Sequence, residues 1–141
     1  MKTVIVRYVA MALLVTIAAI VVAREQTDTN HTPDRWASER GMYVVSFTSS
    51  LDPIPINKMH EWMLHLEAAN GEPVDGAEIS FAGGMPEHNH GLPTSPRVTE
   101  NTGGGDYRLQ GIRFHMKGNW QIIISIFEGP TVDRVVIDLN L

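Results

Sequence analysis

The chain of 141 residues contains no cysteine. Disulfides, thiolate zinc sites, iron–sulfur clusters and cysteine nucleophiles are therefore excluded, and any soft-metal chemistry has to use histidine and methionine. Basic residues are also scarce: 11 Lys and Arg stand against 16 Asp and Glu. All the acidic residues but only 8 of the basic ones lie beyond Arg24, which leaves that part at a net charge near −8 with His neutral. Such a balance excludes nucleic acid as a partner, because phosphate contacts need clustered Lys and Arg. The signatures of a nucleophile elbow, an HExxH zinc helix and a phosphate-binding loop are missing. The chain is thus not expected to be an enzyme, with a mononuclear copper redox enzyme the one class still compatible. Beyond residue 23 no segment carries the 3.6-residue period of an amphipathic helix.

One long apolar run is present. Tyr8 to Ala23 carries no charge and follows Lys2 and Arg7. Residues 1–23 read as a cleaved signal peptide or as an uncleaved anchor that crosses the membrane through residues 4–23. In both cases the positive flank stays inside, so residue 24 onward is expected outside the cytoplasm. Residues 24–41 are polar and aperiodic and read as a tether, with His31 and Trp36 incidental to function. Residues 42–141 read as the folded domain.

Within that domain the pattern is β. Met42–Thr48 is rich in β-branched and aromatic residues, and Ile56–Glu67 alternates, placing Ile56, Lys58, His60, Trp62, Leu64 and Leu66 on one face. Gly76–Phe81, Tyr107–Met116, Trp120–Phe127 and Val132–Leu139 read as further strands, separated by Gly- and Pro-rich turns. Gly118-Asn119 reads as a tight hairpin, and Trp120–Phe127 as a central strand buried on both faces. Strands at this spacing predict an all-β antiparallel sandwich of about seven strands.

Chemistry concentrates in Met85-Pro86-Glu87-His88-Asn89-His90-Gly91. Imidazole nitrogen and thioether sulfur favour copper, Cu(I) especially, over hard cations. Two histidines at i and i+2 point the same way in an extended chain and can converge on one ion. Prolines 86, 93 and 96 stiffen the segment, and Gly91 lets the backbone turn after the second His. His60, on an apolar face, and Met116, at the inward end of its strand, are the candidates to complete the set. The expected metal ligands are His88, His90, His60, Met85 and Met116. His65 and His115 share faces with charged residues and read as solvated; Trp62 and Trp120 read as core anchors.

Four ordered motifs carry a resemblance over residues 42–128: Asn70–Ile79, Met85-Pro86-x-His88-x-His90-Gly91, Gly105-Asp106-Tyr107 and Phe114-x-Met116-x-Gly118-x-Trp120. The sequence resembles the YtkA-like/FixH-like exported bacterial domains. That resemblance implies an immunoglobulin-like sandwich similar in architecture to small periplasmic copper carriers. It implies a place in the bacterial periplasm or on the outer face of the cytoplasmic membrane. It also implies, as partners, a copper ion and an envelope metalloprotein or oxidase under assembly. The function expected is a copper-binding accessory or carrier protein. The alternative is a metal-independent immunoglobulin-like module that docks on an envelope complex through its proline-rich loop.

Overall fold

The protein is described here by a computed structural model covering residues 34–141; segment 1–23 and His31 lie outside the described residues. All regular structure in this span is β. The strands are β1 (Arg35–Ala37), β2 (Tyr43–Ser49), β3 (His60–Ala68), β4 (Glu78–Met85), β5 (His90–Gly91), β6 (Arg97–Gly103), β7 (Asp106–Ile112), β8 (Asn119–Glu128) and β9 (Thr131–Asn140). They form two antiparallel sheets, ordered β1-β2-β3-β7-β6 and β5-β4-β8-β9. The alternation read from the sequence becomes the sandwich core. Trp62, Leu64 and Leu66 of β3 and Leu109 of β7 face Trp120, Ile122, Ile124 and Ile126 of β8, all at most 1% exposed. The opposite face of β8 is only half-buried at Gln121, Ile123 and Ser125, so this strand is central within its sheet but not buried on both sides.

Three strands escape the periodicity. β1 lies inside the stretch read as a tether: Trp36 pairs with Val45 and stacks on Phe47 at 5.3 Å between ring centroids. β6 is exposed at nearly every position and β5 is two residues long, so neither shows apolar alternation. Two expected strands are also shorter than read. Asn57, at φ 59°, interrupts the first half of Ile56–Glu67, and Ile56 makes only an isolated bridge to Phe114. β7 ends at Ile112, just after Gly111 at φ +89°. The chain then leaves one sheet and enters the other at Asn119, so Gly118-Asn119 closes no hairpin. Gly118, at φ +125°, instead exchanges backbone hydrogen bonds with Leu141, of 2.8 and 3.1 Å.

At the far end from this crossing, the Asn70–Ala77 loop is bound to the β6–β7 turn. Asp75 accepts hydrogen bonds from the amides of Gly104 and Gly105, and the Tyr107 hydroxyl donates to Val74 O at 2.8 Å. A Cβ at Gly105 would lie 2.5 Å from Leu66 O, so only glycine fits there.

Asp133, 4% exposed, ties β9 to the β1–β2 turn. Its carboxylate accepts from Ser38 Oγ at 2.6 Å and from the amides of Arg134 at 2.8 Å, Arg40 at 3.1 Å and Met42 at 3.4 Å. Burial alone would raise this carboxyl, but the donated hydrogen bonds outweigh it and hold its pKa below the ordinary carboxylate value. Because the folded value is the lower one, the unfolded chain takes the proton first as pH falls. The stabilisation is therefore complete above about pH 4 and disappears as pH drops through the folded pKa. Asp133→Ala is expected to cost about 2–3 kcal/mol at neutral pH, because it strands a buried hydroxyl and amides. In urea melts at pH 7 and pH 3 the difference between wild type and variant should shrink at the lower pH.

Candidate metal centre

The Met85–Gly91 run is a small β-hairpin, not an extended loop. β4 ends at Met85, residues 86–89 turn, and β5 returns so that His90 pairs with Met85 and Gly91 with Gly84. The turn is closed by the His88 amide donating to Met85 O at 3.0 Å, with Asn89 at φ 52°. Gly91 is therefore not the turning residue. Its missing side chain serves a close approach, since a Cβ there would stand 3.2 Å from Gly83 O. His88 and His90 are neighbours because the turn folds them together: their rings stack 5.7 Å apart at 14°.

Directly paired residues on antiparallel strands project to the same side of the sheet. Met85 projects inward and is 2% exposed, which sends His90 to the same, inner side at the open end of the sandwich. There His90 meets the crossing segment. Its ring centroid is 5.0 Å from that of His115 and 6.5 Å from that of Trp120. His115 in turn stands edge-on to Trp120 at 5.4 Å and 77°. The crossing is pinned on both sides of His115. The Asn57 amide donates to Phe114 O at 2.7 Å, and Trp120 Nε1 donates to Met116 O at 3.0 Å.

The five expected ligands divide. His88, His90 and Met85 are brought together by the hairpin. The Met85 methyl group occupies the space of the Cβ that Gly118 lacks, at 2.9 Å, so Met85 lies beneath the crossing. Met116 is 37% exposed rather than inward-facing, two residues before Gly118. His60 is not at the cluster. It is 6% exposed, its ring lies 5.7 Å from Phe114, and Phe114 lies edge-on to Trp120 at 5.1 Å, so His60 reaches the cluster only through those two rings. His115, read as solvated, is the residue that pattern reading missed. It is half-buried, and its Nδ1 is shielded from solvent with no hydrogen-bond partner. His65 lies at the opposite end of β3, hydrogen-bonded through Nδ1 to Asp106 at 2.6 Å.

Among the described residues no three His, Asp or Glu side chains already stand in position to hold a metal ion. The donor types nevertheless fit a soft ion: three imidazoles and the Met85 thioether gather at one end of a protein without thiols, with exposed Met116 in the same crossing segment. Two grooves of about 330 and 360 Å³ flank the hairpin, the first lined by Met85, Asn89 and His90, the second by Glu87, Trp120 and Asp138.

A protein-family model described as YtkA-like matches residues 39–125, well over half of the chain. No curated protein and no solved structure matches.

His60 offers a check on its assignment to the core. Burial lowers its pKa below the ordinary imidazole value of about 6.5, opposed by the hydrogen bond from its Nδ1 to Lys58 O at 3.1 Å. The depressed folded value means that the unfolded chain binds the proton first. His60 should therefore erode stability as pH falls from about 6.5 toward its folded pKa. The fall in melting temperature between pH 7.5 and pH 5.5 should be smaller in His60→Phe than in wild type; an equal fall would place His60 in a solvated setting.

Proposed function

We propose that this chain, which belongs to the YtkA-like family, is an extracytoplasmic accessory protein that binds copper at the open end of its sandwich. The observation that carries this reading is the pairing of Met85 with His90, which sets a thioether and an imidazole side by side next to His88. Copper bound there would supply a redox-active ion in exchangeable form. His88, His90 and Met85 would hold it, with buried Trp120 beside His90 and exposed His88 facing solvent. An exposed turn above a buried thioether suits delivery better than storage, because a partner can approach the imidazoles without unfolding the domain. The recipient proposed is a metalloprotein or oxidase under assembly in the bacterial envelope. The apolar segment 1–23 supports the location, as leader or as anchor.

A second reading has its own observation. The grooves beside the hairpin, one lined by Met85, Pro86, His90 and Ile123 and the other by Pro86, Trp120, Asp138 and Leu139, would accept a segment of a docking partner without any metal.

Titration of the full-length protein with Cu(I) and with Cu(II), beside a His88→Ala/His90→Ala variant, separates the two. Copper binding predicts one ion per chain at micromolar metal and at least a hundredfold loss of affinity in the double variant, about 2.7 kcal/mol. Absence of stoichiometric binding, or binding indifferent to the double substitution, leaves docking as the function.

A further inference from the structure

We infer that His115 is the third imidazole of the site, so that His88, His90 and His115 hold the ion together against the wall made by Trp120. The inference rests on the copper reading and deepens it, by naming a ligand from outside the Met85–Gly91 run.

The ring separations suit a shared ion. Two imidazoles bound to one ion through nitrogens at about 2.0 Å place their ring centroids roughly 4.5–6 Å apart across the usual range of ligand angles. The His88–His90 and His90–His115 separations, 5.7 and 5.0 Å, both fall in that interval. Among the described residues His88 and His115 form no close ring pair, so convergence needs these two rings to swing toward each other about His90 as well as to turn. His88 and His90 lie face to face at 14°, and His90 is inclined to His115 at 47°. Rotation about side-chain torsions, between staggered wells, turns such rings without displacing backbone.

His115 also has an unmet need of its own. A shielded ring nitrogen without a hydrogen-bond partner costs free energy unless something else fills its need. In His115 that nitrogen is Nδ1, and the ring that carries it lies against His90. A bound ion would satisfy it. His115 itself is pre-placed, since the backbone on both sides of it is held by Asn57 and by the Trp120 indole. Pre-set backbone reduces the ordering that binding requires.

Aromatic rings back the cluster. Trp120 contacts both His90 and His115 and is itself 1% exposed, which closes the inner side to water. Phe114 extends that wall and separates the site from His60. An ion held by these imidazoles would have the buried rings of Trp120 and Phe114 on the core side and Met85 nearby beneath the crossing.

The test counts nitrogens. Pulsed electron paramagnetic resonance on the full-length protein loaded with one equivalent of Cu(II) should show three imidazoles in wild type and in His60→Asn, and two in His115→Asn. Competition against a chelator of known affinity should show His115→Asn weakened tenfold or more, a loss at least equal to that of removing an outer-shell partner. Thermal melts establish that each variant is folded, and the wild-type count stands without any substitution. Two imidazoles in wild type, or an unchanged count and affinity in His115→Asn, would overturn the inference while leaving the copper reading intact. Wild-type protein that takes up neither Cu(II) nor Cu(I) would overturn both.

Discussion

Phe114 meets Trp120 edge to face, 5.1 Å between ring centroids, at the point where the chain passes from one sheet to the other. Both rings are essentially solvent-free, and aromatic pairs in this arrangement stabilise beyond the area they bury. The contact fixes the crossing segment against β8. It thereby fixes His115, which sits between Phe114 and the Trp120-bonded carbonyl of Met116. β7 ends at Ile112, and this contact, together with the hydrogen bonds from the Asn57 amide and the Trp120 indole, sets the loop beyond it against the end of the sandwich that carries the β4–β5 hairpin. The proximity of His115 to His90 is a consequence of core packing, not of loop structure.

The two ends of the sandwich divide the four motifs read in the sequence. At one end Asp75, Gly105 and Tyr107 form a purely structural set, in which a carboxylate binds two amides and a hydroxyl binds a loop carbonyl. Gly105 is required by the approach of Leu66 O. At the other end Met85, His88, His90, Phe114 and Trp120 meet. Here the sterically demanding glycine is Gly118, whose missing side chain makes room for the Met85 methyl group. The first end holds the sheets in register, and the second carries groups with no structural need to be histidine. Exposed His88 forms no side-chain hydrogen bond among the described residues, and the shielded Nδ1 of His115 has no partner.

Much of the fold was legible in the sequence, because alternation over His60–Ala68 and the apolar run at Trp120–Phe127 report burial directly. The polar edge strands were not. β6 faces solvent almost throughout, and β1 is held by three residue pairs and one stacked tryptophan. The site was half legible. The Met85–Gly91 run was evident from residue type alone, although its i, i+2 histidines meet across a turn rather than along a strand. His60 was placed inward correctly, but an inward histidine in a filled core has Phe114 and Trp62 for neighbours, and alternation says nothing of how deep a position lies. His115 was missed for the converse reason. The period of two was carried past Gly111, where the strand ends, so its sidedness was assigned relative to a sheet it had already left.

The central claim is that the crossing and the hairpin form one metal centre at a single end of the sandwich. Paramagnetic broadening tests it most directly, through ¹H–¹⁵N spectra of the full-length protein recorded with substoichiometric Cu(II). The account predicts that the amides of His88, His90, His115 and Met116 and the indole N–H of Trp120 broaden first, while those of Gly105, Asp133 and Trp36 stay sharp. Broadening centred on His65 and Asp106 at the opposite end, or spread evenly over the acidic surface, would contradict it.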